Sequence, residues 1–180
     1  NSVKYDFGHD NLQLLVPCCR TPEEGAMVKE LLDDNGIGPS TGTDLFVMVE
    51  LPSNVIEAER FIQMMELSGG SIGSNDLVQT VYAVSRDDLE GYQNPVDARS
   101  PAVKSMIRQI VNKFNARGLE IGICGQAPSD FPEEVPPFLI DCGISSISVT
   151  PDTAIAVRNT VAEAEKAAKK LTKQAELLSD

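Results

Sequence analysis

Reactive side chains follow three short apolar runs of this chain. "VMVELPS" contains Glu50, "GSIGSND" ends in Asn75 and Asp76, and "GICGQ" contains Cys124. Each run is typical of a short β-strand. In parallel sheets, functional residues lie at the carboxyl ends of the strands, along one edge of the sheet. Glu50 and Asp76 are one strand-helix unit apart, so they should project from adjacent strands about 4.8 Å apart. Such a pair can share Mg²⁺, which prefers one or two carboxylates completed by water and substrate oxygens.

Each of these residues also has an ordinary structural interpretation. Glu50 before "LPS" suits a solvated charge at a strand end, and Asp76 suits a helix cap. Cys124 suits a small buried apolar position. The joint placement at successive strand ends favours a functional site. Zinc is disfavoured, because the single histidine, His9, lies far from these motifs in the sequence.

The elements that must position these residues alternate along the chain. Thr21 and Ser100 are expected helix caps, each followed by a proline at the first helical position. In the second predicted helix, Val55 and Ile56 should share one apolar side with Phe61. The predicted strands span 12–18, 44–53, 70–73, 119–125 and 144–150. The predicted helices span 21–36, 54–70, 101–118, 131–143 and 151–180.

Five strands that are each followed by a helix predict an α/β protein with a parallel sheet, since parallel strands need such crossovers. Two architectures compete: an open doubly wound sheet and a (β/α)₈ barrel of the TIM type. A barrel typically needs about 250 residues, so this chain would supply only the last five units of it. Two sheet edges would then stay open, which is an aggregation hazard unless they are covered. Residues 1–180 contain no linker and predict a single domain.

The composition excludes several classes of function. The formal net charge is −12, with 27 acidic and 15 basic residues, which argues against a nucleic-acid partner. There is no run of 18 apolar residues and no signal-peptide pattern, so we expect no membrane partner and a cytoplasmic protein. Cys18 and Cys19 should point to opposite faces of the first strand. With Cys124 and Cys142 they form no CxxC pair, so we expect free thiols.

Four ordered motifs carry a family resemblance. "VMVELPSN", "GGSIGSNDLVQ", "GICGQAPSD" and "GISSISVTPDT" resemble the carboxy-terminal barrel of the phosphoenolpyruvate-utilising enzymes, over about residues 10–165. "PCCRT", "GSND" and "GQAPSD" favour the synthase branch of that family over its dikinase and sugar-phosphotransferase branches. The resemblance implies the TIM-type barrel and a phosphoryl transfer between a phosphohistidine and the enolate of pyruvate.

The resemblance also implies roles for the strand-end residues. Glu50 and Asp76 become the ligands of Mg²⁺. Asn75 contacts the phosphate or carboxylate of phosphoenolpyruvate or pyruvate. Backbone amides of the turn formed by Gly73 and Ser74 assist in holding that anion.

Cys124 becomes, by the same resemblance, the acid/base at the methyl or methylene carbon of the substrate. Arg86 resembles a loop arginine that meets the phosphoryl group, a task that suits a guanidinium, although an ordinary surface arginine fits equally well. Two positions depart from the family: Ala127 and Phe131 stand where the synthase usually has Gly and His. His9 does not lie in the phosphohistidine segment of the family.

The family has parts that we expect to lie outside this chain. These are an ATP-binding domain, a phosphohistidine domain and the first three barrel units, so we expect a fragment that is not competent alone for turnover. A homodimer is expected, because barrels of this family commonly mediate dimers. A non-catalytic module that binds a small acid or a protein remains an alternative, as does a metal-dependent lyase that forms an enolate.

Overall fold

The computed structural model describes residues 6, 8, 11–85 and 96–179, and it describes side chains as far as residue 170. The strands are β1 (Gln13–Val16), β2 (Asp44–Val49), β3 (Gly69–Gly73), β4 (Glu120–Cys124) and β5 (Ser146–Ile147). The helices are α1 (Pro22–Asp34), α2 (Pro52–Ile56), α3 (Ala58–Met65), α4 (Ser74–Tyr82), α5 (Pro101–Ala116), α6 (Ala127–Asp130), α7 (Val135–Cys142) and α8 (Ala154–Ser179). None of the helices in these ranges has the length and apolarity to cross a membrane.

The five strands form one parallel sheet in the order β1-β2-β3-β4-β5. Val49 pairs with Ile72, and Gly73 pairs with Cys124, so the carboxyl ends of the central strands are level. Right-handed crossovers between strands that are also neighbours in space place all the helices on one face of the sheet. A doubly wound sheet instead reverses its strand order and has helices on both faces. The sequential order is that of a TIM-type barrel, and the predicted parallel α/β fold is confirmed.

The two faces of the sheet differ sharply in burial. The outer face carries apolar side chains that are almost completely buried beneath the helices: Leu45, Val47, Val49, Ile72, Ile121 and Ile123. The inner face is partly open and carries a mixture of side chains that includes Leu15, Phe46, Met48, Ser71 and Cys124. The hydrophobic core therefore lies between the sheet and the helices, and the side chains of the inner face remain partly accessible.

Helix starts follow the predicted capping pattern only in part. The hydroxyl of Thr21 accepts a hydrogen bond from the N–H of Glu24 at 3.2 Å, which is the predicted cap of α1. Ser100 occupies the N-cap position of α5 without a side-chain cap bond. Its hydroxyl instead accepts a hydrogen bond from the N–H of Asp97 at 3.0 Å, so it fixes the preceding turn.

The segment after β2 differs from the single helix that was predicted. It forms two helices, α2 and α3, which meet at Glu57. The break rotates Ile56 outwards, and its side chain is 68% exposed while that of Val55 is buried. The prediction that Ile56 shares the buried side was therefore wrong, because the helical period is not continuous across Glu57.

The first and fifth strands are shorter than predicted. β1 ends at Val16, so Cys18 and Cys19 follow the strand and were wrongly assigned to it. Only Ser146–Ile147 of the predicted fifth strand forms a ladder. All four cysteines are free thiols, as predicted.

Candidate active site at the carboxyl ends of the strands

Glu50 directly follows β2 and lies at its carboxyl end, with only 4% of the residue exposed. Its Oε1 atom accepts a hydrogen bond of 2.5 Å from the N–H of Cys18. Its Oε2 atom lies 3.0 Å from the position that a Cβ atom would occupy on Gly73. The carboxylate therefore spans the space between the ends of β1 and β3, in a place where a side chain on Gly73 would disturb it.

Asn54 holds the backbone on which Glu50 stands. Its Oδ1 atom accepts hydrogen bonds from the N–H groups of Glu50 and Leu51, at 3.2 and 3.0 Å. Its Nδ2 atom donates to the carbonyl of Cys19 at 2.7 Å, so the buried amide joins the ends of β1 and β2. Sequence reasoning missed this role, although an Asn four residues after a strand-end Glu was a visible signal.

Asp76 lies in the first turn of α4 and is exposed. It does not cap the helix, because the N-cap residue is Gly73. The side-chain amide of Gln79 donates a hydrogen bond to its Oδ1 atom at 3.3 Å. In the same helix, the hydroxyl of Thr80 lies 2.8 Å from the carbonyl of Glu50 and ties α4 to the end of β2.

Both carboxylates affect the pKa of the Cys18 thiol. Its pKa is raised by a hydrogen bond to Glu50, by the charge of Glu50, by slight burial and by the charge of Asp76. Both predicted metal ligands therefore lie within electrostatic reach of one thiol. The backbone of Cys18 has a φ of +53°, a left-handed conformation that is uncommon for this residue type.

Cys124 ends β4 on the inner face and is half-buried. Its sulfur atom lies 3.9 Å from the sulfur atom of Met48, which is on β2 two residues before Glu50. Met48 was not among the predicted site residues, because a Met within an apolar run carries no signal for a site. The thiol thus faces a soft apolar side chain on one side and lies level with Gly73 on the other.

The turn between β3 and α4 contacts the end of β4. Ser74 is completely buried, and its hydroxyl donates to the carbonyl of Cys124 at 3.0 Å. The Oδ1 atom of Asn75 accepts a long hydrogen bond of 3.5 Å from the N–H of Gln126. Because the Oδ1 atom is used in this way, the Nδ2 group of Asn75 is the part of the side chain that can donate a hydrogen bond to a ligand. The first N–H groups of α4 have no acceptor within the helix.

Four further residues were named in the sequence analysis. Arg86 and His9 are outside the described residues. Ala127 begins α6 and is buried, and Phe131 follows the end of that helix. The guanidinium of Arg99 lies 3.9 Å from the ring centroid of Phe131, so this ring has a cationic partner of its own.

A hydrogen bond between a side chain and the backbone connects each pair of neighbouring strand ends, or the segments that follow them. We call this set the strand-end belt. Its members are Asn54 with Cys19, Thr80 with Glu50, Ser74 with Cys124, and Ser129 with Thr150. The belt fixes the carboxyl edge of an open sheet at the place where the candidate residues stand.

The donors at this edge suit a hard cation. Glu50 and Asp76 supply carboxylate oxygens, and among the described residues no group of three or more His, Cys, Asp or Glu is placed to enclose a metal. A complete cage of protein ligands is therefore not what this part of the chain provides. Two carboxylates with open positions fit Mg²⁺, which keeps water and substrate oxygens in its coordination shell.

The chain belongs to the family of PEP-utilising enzymes, whose PEP-binding domain matches residues 3–166. It is 42% identical over 165 residues to the phosphoenolpyruvate synthase of Aquifex aeolicus (strain VF5), covering 91% of this chain and 19% of that protein. It is 41% identical over 166 residues to the phosphoenolpyruvate synthase of Synechocystis sp. (strain ATCC 27184 / PCC 6803 / Kazusa), covering 92% of this chain and 20% of that protein. The predicted resemblance is confirmed, and the chain spans about a fifth of the length of these curated relatives.

Solved structures support the fold. The β subunit of citrate lyase from Mycobacterium tuberculosis aligns with a TM-score of 0.59 at 14% identity, covering 83% of this chain and 61% of that one. A HpcH/HpaI aldolase/citrate lyase family protein from Burkholderia cenocepacia J2315 aligns with a TM-score of 0.54 at 18% identity, covering 89% of this chain and 65% of that one. At these identities the likeness is one of fold alone.

Proposed function

We propose that this chain is the pyruvate- and phosphoenolpyruvate-binding part of a phosphoenolpyruvate synthase, an enzyme that moves a phosphoryl group between a phosphohistidine and the enolate of pyruvate. The observation that carries the proposal is the gathering of Glu50, Asp76 and Cys124 at one edge of the sheet. Glu50 and Asp76 are the proposed holders of Mg²⁺. When bound, this ion supplies positive charge that stabilises an enolate oxygen.

The remaining candidates divide the work of binding the substrate. Asn75 donates from its side-chain amide to the phosphate or carboxylate of the three-carbon acid, because its Oδ1 atom already faces Gln126. The backbone N–H groups of Gly73 and Ser74 assist at the start of α4. Arg86, outside the described residues, is the proposed contact of the phosphoryl group.

Cys124 is the proposed acid/base. Its thiol donates a proton to the methylene carbon when pyruvate forms and accepts one from the methyl group in the reverse direction. Donation requires the neutral thiol, and acceptance requires the thiolate that donation leaves; in both steps the sulfur must be held beside the reacting carbon. The contact with Met48 at 3.9 Å gives the thiol a neighbour that carries no charge.

Complete turnover requires further domains besides the one that carries these residues. We propose that residues 1–180 form a single domain that is the carboxy-terminal part of the (β/α)₈ barrel. Phosphohistidine and ATP-binding domains are its partners within a longer enzyme, and a homodimer is the proposed assembly. The isolated chain then binds the substrate but does not complete turnover.

Two other functions are distinguished by chemistry. A metal-dependent lyase would release pyruvate from a larger acid without a phosphorylated intermediate. The citrate lyase β subunit of M. tuberculosis, solved in complex with oxaloacetate and magnesium, is 13% identical with a TM-score of 0.58, so it shares the fold and does not by itself favour a lyase. Relatives at 41–42% identity favour the synthase. A non-catalytic module would bind the small acid and serve no phosphoryl transfer.

Isothermal titration of the chain with oxalate, a mimic of the enolate, tests the proposal. We expect binding that requires Mg²⁺ and is lost in both Glu50→Gln and Asp76→Asn. The matched control is Glu120→Gln, which changes an exposed carboxylate at the opposite end of the inner face and should bind normally. Binding that persists without Mg²⁺, or that survives both substitutions, would reject the proposed site.

A further inference from the structure

The carboxyl end of β4 is fixed by a contact that the proposed reaction does not use. We propose that the side chain of Ser74 is a positioning residue for the Cys124 thiol, and that its hydroxyl does not bind the substrate. The inference rests on the proposed function only where it calls Cys124 the acid/base. The contact itself is a feature of the fold.

The hydroxyl of Ser74 is fully committed to the protein. The residue is 0% exposed, and its single hydroxyl proton is directed to the carbonyl of Cys124 at 3.0 Å. The paired positions of β3 and β4 end at Gly73 and Cys124. The Ser74 hydroxyl therefore continues the connection between these strands by one further hydrogen bond, at the residue that carries the thiol.

Gly125 closes the same contact from the other side. Its φ is +106°, and a Cβ atom at this position would lie 2.3 Å from the Ser74 hydroxyl oxygen. Only a glycine therefore allows the backbone after Cys124 to pack against the hydroxyl. Without the hydroxyl this backbone has space to move, and the thiol moves with it.

The segment after β4 is also held by residues that follow β5. The N–H of Thr150 donates to the hydroxyl of Ser129 at 2.9 Å, and the hydroxyl of Thr153 donates to the same atom at 3.0 Å. The segment that carries Cys124 is thus supported on both flanks. Proton delivery to one carbon atom depends on such fixed placement, because misplacement of about 1 Å can cost about 100-fold in rate.

The test is the alkylation rate of each cysteine with iodoacetamide, resolved by mass spectrometry of the separated peptides and measured without metal or substrate. Ser74→Ala should raise the rate at Cys124 by about two- to tenfold, the range that corresponds to the loss of one ordinary hydrogen bond. Ser74→Thr keeps the hydroxyl and should restore the wild-type rate. The exposed Cys18 thiol is the internal reference and should not change.

The matched control lies at the other end of the same strand. The hydroxyl of Ser145 accepts a hydrogen bond from the N–H of Ile121 at 3.1 Å, so Ser145→Ala removes a similar bond far from the thiol. An unchanged Cys124 rate in Ser74→Ala, or an equal rise in Ser145→Ala, would overturn the inference. If Ser74→Ala does not fold, Gly125→Ala tests the same contact, because the new methyl group must displace the hydroxyl and raise the Cys124 rate.

A separate arm tests the proposed function in the same assay. Mg²⁺ with oxalate should protect Cys124 of the unaltered chain from iodoacetamide. Absence of protection contradicts the proposed function and leaves the comparison between Ser74→Ala and Ser145→Ala intact. Protection together with an unchanged rate in Ser74→Ala contradicts only the positioning role.

Discussion

The outer and inner faces of the sheet are built from alternate residues of the same strands, yet they have different properties. On β2, Val47 and Val49 point outwards and are buried beneath the helices, while Met48 between them points inwards beside the Cys124 thiol. On β4, Ile123 is buried on the outer face and Cys124 is half-exposed on the inner one. One step along a strand thus separates a residue that stabilises the fold from one that is available for chemistry.

The largest expected effect comes from removing an aromatic ring on the outer side. Phe114 of α5 is 1% exposed, and its ring lies 3.0 Å from the position of a Cβ atom on Gly70. Phe114→Ala should reduce the free energy of unfolding by about 3–5 kcal/mol, because it leaves a cavity in a close-packed core. Urea denaturation followed by circular dichroism measures the loss.

Phe46 provides the matched control on the inner face. It is a ring of the same size on β2, but it is only partly buried. Phe46→Ala should therefore cost clearly less than Phe114→Ala. Equal losses for the two substitutions would show that the inner face also contributes to the core, and the contrast between the faces would fail.

A smaller loss of stability is expected from the strand-end belt. Asn54→Ala leaves the N–H groups of Glu50 and Leu51 and the carbonyl of Cys19 without their partner. One unpaired buried group costs about 1–3 kcal/mol, and water can enter the space left by the truncated side chain to satisfy the others. We therefore expect a net loss of about 1–3 kcal/mol in the same denaturation. The substitution should also weaken Mg²⁺-dependent oxalate binding, since Glu50 loses its support.

The control for this variant is Asn115→Ala. Asn115 donates a similar hydrogen bond of 2.9 Å to the carbonyl of Gly143, but it does so at the exposed surface and away from the strand-end belt. This variant should lose little stability and bind oxalate normally. A loss of binding in Asn115→Ala as large as in Asn54→Ala would mean that the belt has no particular link to the site.

The smallest effect on stability is expected from the pair formed by Arg99 and Asp97 at the surface. The guanidinium of Arg99 holds the pKa of the Asp97 carboxyl below its usual range. The pKa is lower in the folded than in the unfolded chain, so this pair stabilises the fold at neutral pH. That contribution disappears as the pH falls from the unfolded value of about 3.9 through the folded pKa.

Denaturation of Arg99→Met beside the unaltered chain tests this sign. The difference in unfolding free energy between the two should be constant above about pH 5 and should shrink below pH 4. Asp97→Asn in both backgrounds should remove most of the pH dependence, because only the ion pair of Arg99 with Glu134, at 3.3 Å, then remains. A difference that persists unchanged to the lowest pH would show that Arg99 acts through its contact with Phe131, not through the charge of Asp97.

The positions of the candidate residues could be predicted from the sequence, because they follow from a local change from apolar to polar residues. Glu50 and Cys124 stand at strand ends, and Asp76 lies in the first turn of the helix that follows β3. Their roles as metal ligands and as acid/base stay proposals. The belt was not predicted, because its contacts join residues far apart in the chain. Asn54 reaches a carbonyl 35 residues away, and Ser74 reaches one 50 residues away.

The predicted ends of two elements were also wrong. The apolar residues after β2 predicted one helix, whereas α2 ends and α3 begins at Glu57, so Ile56 lies outside the buried side. The fifth apolar run predicted a strand of seven residues, while only Ser146–Ile147 finds a ladder partner on β4. Local pattern indicates that an element exists, and its neighbours determine its length.

The most direct test of the proposed site is the position of a bound metal. Crystals of the chain soaked with oxalate and Mn²⁺, which replaces Mg²⁺ and scatters anomalously, would locate it in an anomalous difference map. We predict one peak between Glu50 and Asp76, with the oxalate between the metal and the Cys124 thiol. A map without a peak at this edge, or with the metal held by other acidic residues, would contradict the account.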